Sequence, residues 1–160
     1  DGKYGVNVLG GSINLTLLRA PLAPDMTADL GEQLVTYAFH AWNGSFFDSA
    51  LIREAAELNV PVTTTLGNAG ARSLFRVDAP NVIVETVKPA EDGSGDVIVR
   101  LYEAKRATTR CTLETTLPLK HVHTASLLEE DGRPVDVRRG AMSLNFRPFE
   151  IKTLRLALRT

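Results

Sequence analysis

The run Asn81–Ala104, NVIVETVKPAEDGSGDVIVRLYEA, decides the fold. Its two ends, Val82 to Val87 and Val97 to Tyr102, are rich in β-branched and aromatic residues, the composition that suits a pleated surface. Between them lies KPAEDGSGD, whose Gly, Asp and Ser residues are those of a hairpin loop. Two strands joined by such a loop pair antiparallel, which seeds an antiparallel sheet.

Outward from this hairpin the same signals recur. Strand-like runs are expected around Ser73 to Val77, Thr109 to Leu117, His121 to Leu128, Met142 to Phe146 and Phe149 to Leu158, with EEDGRP as a further turn. Toward the N-terminus, SINLTLL places Ile13, Leu15 and Leu17 on one face and Asn14 and Thr16 on the other, following a Gly10-Gly11 turn. Val6 to Leu9 and the run from Ile13 therefore read as a second hairpin. After a Pro- and Asp-rich connector, a strand is expected at QLVTYAFHA. One segment has helical periodicity: in FFDSALIREAAELN, residues Phe47, Leu51, Ala55 and Leu58 share a stripe, and Asn59 and Pro61 suit its end. The expectation is a surface helix packed on the sheet. Roughly ten short strands with one short amphipathic helix define an all-β fold, mainly an antiparallel β-sandwich.

At 160 residues the chain has the length of one ordinary domain, and residues 1–160 are read as a single one. Its 18 Lys and Arg against 19 Asp and Glu leave a net charge of −1, so no field gathers a polyanion and nucleic acid is not expected as a partner. No run reaches the ~18 apolar residues of a membrane-spanning helix. The single cysteine, Cys111, excludes an internal disulfide and fits a reducing, cytoplasmic setting. The C-terminal run FEIKTLRLAL closes the fold, whereas the polar opening DGKYG, which lacks a methionine, reads as a cut in a longer chain.

Catalytic constellations are sparse. His121 and His123 stand at i, i+2 and would share a strand face, but no third metal ligand accompanies them. Neither GGSIN nor GNAGA forms a nucleophile elbow, and Cys111 inside a β-run reads as a packed small hydrophobe. The Gly-rich pieces read as turns, not phosphate loops. What remains is a polar cluster near the start: Asp1, Lys3, Tyr4, Arg19, Asp25 and Asp29, followed by His40 and Trp42. Carboxylates, a guanidinium and aromatic rings are the means by which a site grips a sugar. The same residues also suit turn contacts and surface ion pairs.

Several segments, taken in order, resemble one family. Lys3-Tyr4-Gly5, LLRAP at 17–21, PDMTAD at 24–29, TYA at 36–38, the LN and Pro of 58–61, Asn81–Ala104 and PFEIKTLRL at 148–156 are similar to the C-terminal β domain of glycoside hydrolase family 38 α-mannosidases, in particular their cytosolic and bacterial branch. The resemblance implies a retaining, exo-acting α-mannosidase whose catalytic domain lies upstream in the same chain. Retention calls for two carboxyl groups about 5 Å apart. The family's nucleophile and its zinc site have no counterpart motif in these 160 residues, so the chain alone is expected to hold no cofactor and to be inactive, with zinc in the catalytic domain. The expected contribution is scaffold and pocket wall. Tyr4 and Arg19 are the first candidates for contact with a mannose-containing oligosaccharide, with Lys3, Asp25 and Asp29 positioning loops or bonding the glycan. Homo-oligomerisation is compatible with this reading. The alternatives are an independent carbohydrate-binding module and an oligomerisation domain.

Overall fold

The computed structural model describes residues 5–60, 62–67 and 70–159, and the chain divides into two units, Asp1–Trp42 and Asn43–Thr160. In the first, β1 (Val6–Leu9) and β2 (Ser12–Leu15) form an antiparallel hairpin across the Gly10-Gly11 turn, with Asn7 opposite Asn14. Asn14 Nδ2 donates to Asn7 Oδ1 at 2.9 Å, a cross-strand pair that fixes the register. Beyond Leu15 the unit has no further strand among the described residues, so the strand expected at QLVTYAFHA is absent. No residue of this unit is buried among those described: Val6, Val8, Leu9 and Ile13 are all more than half exposed.

The second unit starts with a 3-10 turn, Phe46–Asp48, and the helix α1 (Leu51–Asn59), which ends where the sequence places its end. No residue of α1 is buried, so it does not pack on the sheet in the way its apolar stripe leads one to expect. Eight strands follow: β3 (Phe75–Val77), β4 (Val82–Pro89), β5 (Val97–Glu103), β6 (Thr109–Thr115), β7 (Leu119–Ala125), β8 (Asp131–Pro134), β9 (Ala141–Phe146) and β10 (Ile151–Leu158). They form a five-stranded sheet in the order β4-β5-β10-β7-β8 and a three-stranded sheet in the order β3-β6-β9, every pair antiparallel. This is the expected all-β sandwich.

Alternation along the strands builds the core. Val82, Val99, Leu101, Val122, Leu154 and Leu156 from the larger sheet meet Cys111, Leu113, Met142, Leu144 and Phe146 from the smaller. Burying a side chain of this size contributes roughly 1.5–3 kcal/mol. Cys111 is a core residue, and burial pushes its thiol above the usual range, with the charge of Asp78 adding to the effect. Between β8 and β9 a tight turn brings Arg138 and Ala141 into mutual backbone hydrogen bonds at 2.9 and 3.0 Å, with Arg139 and Gly140 at φ 53° and 82°. A Cβ on Gly140 would stand 2.6 Å from the Thr115 carbonyl, so glycine is required twice over.

The strand β8 is the element least visible in the sequence. Its residues lie within the Asp-Gly-Arg-Pro run that reads as a turn, yet they pair with β7, and the actual turn falls earlier, where Ser126 and Glu130 exchange bonds. A short edge strand carrying proline is the usual protected margin of a sheet.

Candidate functional site

The outer face of the five-stranded sheet carries most of the organised polar chemistry of the second unit. Register sets three rows across it: Ile83, Tyr102 and Ile151; then Thr86, Arg100, Thr153 and Ala125; then Lys88, Ile98, Arg155 and His123. The third row is closed over by charge. Arg155 donates through Nε to Asp96 at 2.7 Å, and through Nη2 to Asp92 at 2.6 Å and to Ser94 Oγ at 2.9 Å. Its Nη1 reaches the Glu129 carbonyl at 3.4 Å. One planar guanidinium on β10 therefore holds the β4–β5 loop and touches the β7–β8 turn.

Lys88 reinforces the link, its ammonium 2.5 Å from both Glu91 and Glu129, while Glu129 Oε2 also accepts the Glu91 N–H at 2.8 Å. Ile98, between Lys88 and Arg155, is buried although it lies outside the main core. The aliphatic stems of Lys88 and Arg155, which flank Ile98 in register, account for that cover.

These contacts fix the protonation states. The guanidinium of Arg155, followed by the Ser94 hydroxyl and N–H, holds the Asp92 carboxyl down at about 2. Hydrogen bonds from Lys88 and from the Glu91 N–H lower Glu129, and those same carboxylates raise Lys88. Carboxylates held ionised in this way do not deliver protons near neutral pH, so the cluster is suited to fixing loops and not to acid-base chemistry.

The first row is open. Glu85, Arg100, Tyr102, Phe149 and Ile151 line a shallow cleft of about 360 Å³, and Phe149 is 62% exposed. Phe149 has φ 58°, a conformation that costs a bulky residue of the order of 1–3 kcal/mol. Its N–H donates to Glu103 Oε2 at 3.0 Å. Glu103 is itself fully buried and accepts from Asn81 Nδ2 at 2.9 Å and from the Lys105 N–H at 2.8 Å. Burial pushes this carboxyl up, but the N–H groups of Phe149 and Lys105 and the Asn81 amide outweigh it and hold the pKa below the usual range. The sequence gives no local sign of this arrangement, because Glu103 and Phe149 lie 46 residues apart.

The residues singled out from the sequence lie in the first unit. Asp1, Lys3 and Tyr4 fall outside the described residues. Arg19 is exposed and its neighbour Ala20 donates its N–H to Asp29 Oδ2 at 3.0 Å, which brings Asp29 to the backbone beside Arg19. Asp25 accepts from the N–H and hydroxyl of Thr27 at 2.9 and 2.7 Å, closing its own turn. His40 and Trp42 stack with ring centroids 5.8 Å apart. In the second unit His121 and His123 meet edge to face at 5.0 Å. Among the described residues no three His, Cys, Asp or Glu side chains converge in a group able to hold a metal ion.

The second unit is thus a two-sheet antiparallel sandwich whose β4–β5 loop is braced by ion pairs to β10. Residues 81–154 match the family model for the glycosyl hydrolases family 38 C-terminal β-sandwich domain. The chain is similar over 99% of its length to alpha-mannosidase 2C1 of Homo sapiens, at 38% identity, and covers 16% of that protein. It is also similar to alpha-mannosidase G of Dictyostelium discoideum, at 32% identity over 97% of the chain and 15% of the relative. An alpha-mannosidase of Saccharomyces cerevisiae aligns at 28% identity over 98% of the chain and 17% of the relative. Residues 81–154 are the C-terminal β-sandwich domain of glycoside hydrolase family 38, in a chain similar along its length to alpha-mannosidases. The chain spans about a sixth of the length of the curated relatives it matches.

Proposed function

We propose that this chain is the C-terminal scaffold of a retaining exo-α-mannosidase that removes terminal α-linked mannose from oligosaccharides in the cytoplasm. In this reading the nucleophile, the acid-base carboxylate and the zinc ion belong to a catalytic domain outside the 160 residues. The sandwich holds that domain, and the Asp1–Trp42 unit supplies part of the wall of its mannose pocket through Tyr4 and Arg19, with Lys3, Asp25 and Asp29 in support.

The observation that carries this is the exposure of the first unit. Val6, Val8, Leu9, Ile13, Leu22, Met26, Leu30, Leu34 and Phe39 all lie more than 60% open, more large apolar side chains than a self-sufficient unit of this length leaves in water. Relatives six times longer than the chain have the polypeptide to cover it. The match of residues 81–154 and the similarity to alpha-mannosidases support the substrate class.

Hydrolysis of an aryl α-mannoside, measured side by side for the 160-residue chain and for the full-length protein, tests the reading. Turnover is expected only from the full-length protein, with Arg19→Ala and Tyr4→Phe lowering its kcat/KM. Unchanged kcat/KM in both variants removes the pocket-wall role. Saturable binding of mannosides by the 160-residue chain alone would favour an independent binding module instead.

A further inference from the structure

We propose that Lys105 is a latch holding residues 43–60 against the sandwich, and that this segment is an arm built to detach while the strands stay folded. The arm contains the 3-10 turn and α1, and Ser49 is its one buried residue among those described. Lys105 is buried beside it, in the loop between β5 and β6. Its ammonium donates to the Phe47 carbonyl and, at 2.8 Å, to the Ser49 carbonyl, and it stands 5.9 Å from the centre of the Phe46 ring. Two carbonyls and an aromatic face together satisfy a cation that has little access to water. The Asp48 carboxylate adds to this favourable field.

Every other hydrogen bond or ion pair of the arm among the described residues closes within the arm. Ser45 and Asp48 bond each other, Ser49 Oγ donates to the Phe46 carbonyl, Asn59 donates to the Ala55 carbonyl, and Arg53 pairs with Glu54 and Glu57. Apolar packing does not replace the missing bonds. A cleft of about 400 Å³ lies between Phe47, Ala50, Ile52 and Arg53 on the arm and Pro80 and Ile83 on the sandwich side. An element with few buried contacts and a single polar anchor opens at low free energy, independently of the core. Opening further exposes Ile83, which is half-buried with the arm in place, and releases the partly exposed Phe46 from Lys105.

Hydrogen-deuterium exchange with mass spectrometry tests the latch on the 160-residue chain. In Lys105→Met, amides of 46–59 are expected to exchange at least about tenfold faster, the factor one charge-assisted hydrogen bond carries. The amides of β5 and β10 should keep their wild-type rates. Phe46→Ala, which alters only the arm, should give a smaller rise, about two- to fivefold, over the same residues. Wild-type rates across 46–59 in both variants would overturn the proposal. So would a rise in the β5 and β10 amides of Phe46→Ala in step with the arm.

Discussion

The hairpin β1–β2 and the strand pair β5–β10 use the same alternating pattern to opposite effect. In β5 and β10 one face of each strand, carrying Val99, Leu101, Leu154 and Leu156, is withdrawn from water because a second sheet stands against it. In β1 and β2 the alternating Val6, Val8 and Ile13 stay more than 60% exposed. Periodicity thus specifies that a segment is a strand, and the presence of an opposing layer decides whether its apolar face is buried. The sandwich contains both layers, whereas the Asp1–Trp42 unit contains one.

Truncation should separate the two regions most strongly. Phe146→Ala, at a fully buried position, is expected to cost about 3–5 kcal/mol in urea denaturation. Ile13→Ala, in the exposed hairpin, is expected to stay within about 0.5 kcal/mol in the same experiment. A large loss at Ile13 would mean that the hairpin already has its second layer within this chain, and the contrast would collapse.

A smaller effect sharpens the account of the braced outer face. The Asp92 carboxyl is lowered from an ordinary value of 3.8 to about 2, chiefly by the Arg155 guanidinium. A depressed carboxyl contributes stability that is fully present above its unfolded pKa and lost as pH falls through the folded one. The difference in urea midpoint between the wild type and Asp92→Asn should therefore be constant above about pH 5, fall between 3.8 and about 2, and vanish below that. A difference that instead changes between pH 5 and 8 would show that Arg155 does not hold Asp92 in solution.

What the sequence revealed, and what it hid, follows the same physics. The β4–β5 hairpin and the end of α1 were legible because the turn and the helix end are set by residues within about ten positions, and Cys111 because its residue type inside a β-run marks it as packed. The run QLVTYAFHA has strand composition but no strand to pair with among the described residues, and β8 has turn composition but pairs with β7. Pairing partners, unlike periodicity, are not written locally. For the same reason Arg155 with Asp92 and Asp96, and Glu103 with Phe149, were invisible: they join positions 46 to 63 residues apart. Of the polar cluster read near the start, the described contacts bring Asp29 to the backbone beside Arg19, tie Asp25 to Thr27 and stack His40 on Trp42.

On the proposed reading, the first unit finds its missing layer in the rest of an α-mannosidase. Exchange rates of the amides of residues 5–42, compared between the 160-residue chain and the full-length protein, test it most directly. The expected result is at least about tenfold slower exchange across 5–42 in the full-length protein, with β5, β7 and β10 unchanged between the two. Equal rates across 5–42 in both proteins would contradict it.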